Sequence, residues 1–143
     1  MRLISLTEED YNNILLLIAL KEEKMGRVIE FHGQGYNCAE SILKCINEEK
    51  NLSIPVSIGS PFGGGMMVGD TCGAITGALI AIGMVKGRES GDSPNNSRND
   101  TRELMNKVKE KYGTLKCMEL KKNGVSCNEI IQYAYDILAE SIE

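Results

Sequence analysis

The chemistry in this chain of 143 residues sits in its five cysteines, and four of them share a position. Cys38 follows Asn37, Cys72 follows Thr71, Cys127 follows Ser126, and Cys117 comes three residues after Thr114. Asn, Thr and Ser are helix-starting residues, so each of these sulfurs is expected at the beginning of a helix. Unpaired backbone N–H groups and the helix dipole at such a place favour a thiolate, or the sulfur of a bound metal centre. Cys72 stands out among them. It joins a glycine-dense loop (Gly63, Gly64, Gly65) to an apolar run ending at Val85, with Thr71 or Asp70 as cap and Cys72 in the first turn. Cys45 lies inside a predicted helix, seven residues beyond Cys38, and reads as a small core residue.

Three sites can be built from four such sulfurs. One is an iron–sulfur centre ligated by Cys38, Cys72, Cys117 and Cys127, which carries electrons and is the leading version. Another is thiol chemistry, with Cys72 as nucleophile and Cys38 or Cys127 resolving it. Structural zinc ranks lower, because no paired C-x₂₋₄-C knuckle occurs. The rival class is a non-catalytic helical domain whose cysteines hold zinc or pack in the core. In the redox versions Gly64, Gly65 and Gly73 bring backbone close to sulfur and present N–H groups to it. An enzymatic role, if there is one, is of the oxidoreductase type.

The elements that must position these sulfurs read as helical nearly throughout. Thr7 with Asp10 forms a capping box ahead of a helix over 11–20, and a second helix follows over 21–32. Gly33 and Gly35 end it, and Asn37 with Glu40 opens the next, whose stripe is Ala39, Ile42, Leu43 and Ile46. Residues 55–65 form a connector with at most a turn of helix, and 86–100 a mobile polar loop. A charged helix follows over 101–112, a short piece carries Cys117, and Ser126 with Glu129 caps the last helix. The expected fold is an all-α single domain of about six helices, with the glycine-rich loop leading into a buried central helix. Residues 1–21 are a helical extension and 22–143 the cysteine-motif domain, together one compact unit.

Other features narrow the functions. A net charge of −4 and the absence of Trp argue against nucleic acid as partner. The start of the chain lacks the apolar core of a secretory signal, and the run 72–85 as a helix would span roughly 21 Å of a ~30 Å hydrocarbon layer. No membrane insertion is expected, and a cytoplasmic location is. Gly73 and Gly77 make a small-residue face, extended by Gly69 and Gly83, for close approach of another helix in the chain or in a homodimer. No phosphate-loop motif accompanies the glycines, so a nucleotide site is disfavoured. His32, the only histidine, precedes Gly33 and reads as a helix-end residue whose role at the cysteine site stays open. The basic stretch 98–122 is a solvated face, or else balances an anionic centre or docks an acidic redox partner protein.

The segments GYNCAESIL (35–43), FGGGMMVGDTCGAITGALIAIG (62–83), YGTLKC (112–117) and the late Cys127 resemble the C_GCAxxG_C_C family of redox-active proteins. The resemblance spans roughly residues 22–140. It implies that the family's cysteines fall on Cys38, Cys72, Cys117 and Cys127, with Gly73, Ala74 and Gly77 completing the central motif and Cys45 outside it. Some relatives are joined to haem-binding segments, but C-x-x-C-H is absent here, so no covalent haem is expected.

Overall fold

The computed structural model describes residues 5–143, with residues 19–25 as backbone only. The first four residues, part of the stretch read for a secretory signal, lie outside it. The fold is all-α, as expected. Its helices are α1 (Glu8–Gly33), α2 (Cys38–Lys50), α3 (Gly73–Lys86), α4 (Arg98–Tyr112), α5 (Cys117–Lys122) and α6 (Cys127–Ser141). Between α2 and α3 run a 3₁₀ segment, Val56–Phe62, and a tight turn, Gly65–Gly69.

Three of the helix starts are those the sequence prescribes. Thr7 and Asp10 exchange both bonds of a capping box, Asn37 and Glu40 do the same, and the Ser126 hydroxyl accepts from the Glu129 N–H. Elsewhere the elements differ from expectation. The helices expected over 11–20 and 21–32 are one continuous α1, because nothing between them breaks a helix and Gly26 is tolerated inside it. Helix α4 starts at Arg98 rather than Thr101, and the loop before it is ordered by Arg88, which donates to the carbonyls of Gly91 and Ser93.

Helix α3 is the centre of the bundle, packed between α2 and α6 with α4 beside it. Its composition explains why: Ala74, Ile75, Ala78, Ala81 and Ile82 are wholly buried. Facing them are Ile42 and Ile46 of α2, Leu104 of α4, and Ile131 and Leu138 of α6, all without solvent contact. The small-residue face of α3 is used inside the chain. A Cβ on Gly77 would come within 2.9 Å of the Ala39 backbone, so α2 and α3 cross closer than any larger residue permits. Among the described residues no strand forms, and no helix is long and apolar enough to cross a membrane.

Candidate functional site

All four family cysteines lie at helix starts. Cys38, Cys117 and Cys127 are the first residues of α2, α5 and α6. Cys72 is the residue before α3 rather than within its first turn, and neither Asp70 nor Thr71 caps that helix. The reason is a backbone tie. Thr71 pairs with Lys116 in an antiparallel bridge, the Cys72 N–H donating to the Leu115 carbonyl (2.9 Å) and the Cys117 N–H to the Asp70 carbonyl (2.7 Å). That bridge spends Cys72's own N–H away from sulfur and holds the Cys72 and Cys117 segments side by side.

Cys38 and Cys72 meet. Cys38 Sγ seats against Gly73, the residue after Cys72, and the Cys72 thiol and the N–H groups of Gly64, Ala39 and Cys38 itself surround it so as to favour its ionised form. Cys72 contributes most and the N–H groups add to it; against the opposing effect of burial they bring the Cys38 pKa down to about 6. The same pairing, together with burial, drives the Cys72 pKa well up, so Cys72 is the proton holder of the two. Cys72, expected as the nucleophile of the thiol version, is only 4% exposed, while Cys38 is half-buried.

The glycine loop is built around the Cys38 sulfur. Gly64, in the left-handed region (φ 62°), supplies its N–H to Cys38, and a side chain there would meet nothing. Gly65 cannot carry one: a Cβ would lie 2.3 Å from the Asp70 carbonyl oxygen. Gly73 cannot either, since its Cβ would lie 2.3 Å from Cys38 Sγ. Of the three glycines read as sulfur-facing, Gly64 thus donates, Gly73 makes room, and Gly65 shapes the turn. Met66 and Met67 continue the left-handed conformation (φ 58° and 65°), a strained arrangement for residues with a Cβ. Met66, Met67 and Val68 are exposed there, as is Met118 on α5, against which Gly69 packs.

The loop is fastened to α2 by the capping-box residues themselves. Asn37 Nδ2 donates to the Ser60 carbonyl (3.1 Å) and the Ser60 hydroxyl donates to Glu40 Oε2 (2.6 Å). Ser60 was not visible as a site residue in the sequence; only its partners were, as a cap.

The other sulfurs are close enough to matter electrostatically. Cys117 is buried, which raises its pKa; Lys121 works against that, and Cys127 and Cys38 reinforce it. Cys117 in turn acts on Cys72. Among the described residues, however, no three His, Cys, Asp or Glu side chains converge as a metal-holding group. His32 Nδ1 lies 3.1 Å from Oδ1 of Asn128, the neighbour of Cys127. Cys45 is buried in the core beside Tyr135, and burial raises its pKa to about 11.

A family model described as "Putative redox-active protein (C_GCAxxG_C_C)" matches residues 36–141. The chain belongs to this family. No curated protein and no solved structure matches it. Within the matched span, residues 72–77 read Cys-Gly-Ala-Ile-Thr-Gly. In this C_GCAxxG_C_C protein the motif residues have separate tasks: Cys72 meets Cys38, Gly73 clears space for the Cys38 sulfur, and Gly77 lets α3 approach α2.

Proposed function

We propose that this protein is a thiol–disulfide redox protein in which Cys38 is the attacking thiolate and Cys72 the resolving thiol. The observation that carries the proposal is the seat of Cys38 Sγ against Gly73, next to Cys72, and it is supported by surroundings that lower the Cys38 pKa and raise that of Cys72. In the reduced protein the Cys38 thiolate attacks one sulfur of a substrate disulfide. A mixed disulfide forms and the other substrate sulfur leaves as a thiolate. Cys72 then gives up its proton to that leaving group and attacks the Cys38 sulfur. The product is a Cys38–Cys72 disulfide and a second released substrate thiolate, with two electrons transferred. An external dithiol closes the cycle by reducing that disulfide. Cys38 Sγ lies against Gly73, next to Cys72, which places the two cysteines as neighbours for a disulfide.

A second reading keeps the iron–sulfur centre. Four cysteines at four helix starts are a suitable donor set, and Cys117 feels both Cys38 and Cys127. Yet Cys38 and Cys72 are spent on each other, and the described residues do not converge on a common metal position. The dithiol reading leads on that account. Anaerobic purification separates the two. The dithiol reading expects a colourless protein that loses two thiols on oxidation, with a Cys38–Cys72 peptide recovered by mass spectrometry. Stoichiometric iron with acid-labile sulfide and a visible absorption band would establish the cluster instead.

A further inference from the structure

The first turns of α1 stand clear of the bundle. Every residue from 5 to 18 is exposed, whereas Val28 and Phe31, further along the same helix, are buried in the core. Yet this stretch is not polar. Leu6, Tyr11 and the whole run from Ile14 to Ile18 are 42% to 66% exposed. At on the order of 100 Å² a side chain, they make an apolar surface of roughly 700 Å². A monomer ordinarily shows water a few hundred Å², and each partner in a stable interface buries ~800 Å².

The charge of the segment excludes one kind of cover. Residues 5–18 include Glu8, Glu9 and Asp10 but no Lys or Arg, so an anionic lipid surface repels them. The spacing selects another. Tyr11, Ile14, Leu15 and Ile18 share one helix face, and the series 11, 14, 15, 18 reads the same in both directions. A second α1 laid antiparallel, with a two-fold axis between positions 14 and 15, therefore sets Tyr11 against Ile18 of the partner subunit. It sets Ile14 against Leu15 of the partner subunit in the same way. A parallel arrangement would instead crowd the two acidic first turns together and align the helix dipoles. A face that complements itself about a two-fold axis is what an isologous dimer requires.

We infer that the N-terminal part of α1 is a dimerisation arm, which pairs antiparallel with the same segment of a second copy of this chain through Tyr11, Ile14, Leu15 and Ile18. Leu16 lies on the opposite side of the helix, outside that seam. The arm does not depend on the thiol chemistry.

The test is sedimentation velocity of the full-length protein, with reductant present so that no intermolecular disulfide contributes, over about 1 to 100 µM. The wild type should pass from monomer to dimer as concentration rises. Leu15→Glu removes an apolar contact from both halves of the seam and should weaken association about a hundredfold or more. Its helical circular dichroism should be retained, because Leu15 is exposed in the monomer. Leu16→Glu should associate like the wild type. A chain that is monomeric at every concentration would overturn the inference, and co-sedimentation of that monomer with phosphatidylcholine vesicles would make lipid the cover instead. A dimer indifferent to Leu15→Glu, or equally weakened by the two substitutions, would overturn it by placing the contact elsewhere.

Discussion

A Cβ at position 73 would sit 2.3 Å from Cys38 Sγ, so the first residue of α3 is glycine because the first residue of α2 is a cysteine. The same missing Cβ lets the Phe62 carbonyl come close, which seats the glycine loop over the sulfur. One absent carbon therefore joins two helices, a loop and the thiol pair.

Gly73→Ala should accordingly do two things. Forcing the added methyl into that gap should cost about 1–3 kcal/mol of stability, and displacing Cys38 should return its pKa toward the ordinary thiol range. Gly87→Ala, at the opposite end of α3, is the control. Its Cβ meets the Gly83 carbonyl oxygen at 2.2 Å, so stability should fall while Cys38 keeps its low pKa. Urea unfolding combined with thiol alkylation against pH reads both quantities. Equal effects on Cys38 in the two variants would mean that general loosening, not the Gly73–Cys38 contact, controls the thiol.

The Cys38 thiolate should also make stability pH-dependent. Its pKa is about 6 folded against an ordinary 9.0, a depressed value. Such a group stabilises the fold fully above the unfolded pKa, and the contribution disappears as pH falls through the folded one. Between about pH 6 and 9 the reduced protein should gain stability with rising pH relative to Cys38→Ser. Above that range the raised pKa of Cys72 works in the opposite direction, because the unfolded chain ionises there and the folded one resists. Melting temperatures of the two proteins, measured under reductant from pH 5.5 to 8.5, test the sign. A difference that stays flat or narrows across this range contradicts it.

The left-handed turn offers a stability prediction unconnected with sulfur. Left-handed backbone costs a residue bearing a Cβ roughly 1–2 kcal/mol, and Met67 is well exposed, so Met67→Gly loses little packing. Its stability should rise by about 1 kcal/mol. Gly64→Ala should lose about 1 kcal/mol through conformation alone, since a side chain there meets nothing. Gly65→Ala should lose more, because its Cβ would meet the Asp70 carbonyl. Equal losses at 64 and 65 in urea titrations would remove the steric half of this explanation.

Cys45 separates the core thiol from the redox thiols. Cys45→Ser should leave the thiol count lost on oxidation unchanged, and should cost about 1 kcal/mol through the buried environment beside Tyr135. Cys72→Ser should abolish the two-thiol loss. A redox defect in Cys45→Ser with none in Cys72→Ser would reverse the assignment.

Much of this was legible in the sequence because it is local. The capping boxes at Thr7 and Asn37 and the cap at Ser126 need only neighbours three residues apart, and the stripe of α2 needs only helical spacing. The placement of Cys38 and Cys127 at helix starts follows from the same signals. What escaped was non-local. Thr71 has the side chain of a cap, but its backbone is taken by Lys116, forty-five positions later, and that bridge moves Cys72 out of the first turn. Which sulfur becomes the thiolate depends on where Gly64 and Ala39 aim their N–H groups, and the burial of Cys72 depends on the bundle closing over it. Spacing along the chain contains neither. The continuity of α1 has the opposite reason: the apolar patterns on either side of residue 20 differ, yet no breaker divides them.

The measurement that tests the central claim most directly is alkylation of each cysteine against pH in the reduced protein, followed by mass spectrometry. The account predicts that Cys38 is modified first, with a half-point near pH 6 that moves upward in Cys72→Ser, while Cys72 stays unreactive to high pH. Modification of Cys72 or Cys127 ahead of Cys38, or a Cys38 half-point indifferent to Cys72→Ser, would contradict it.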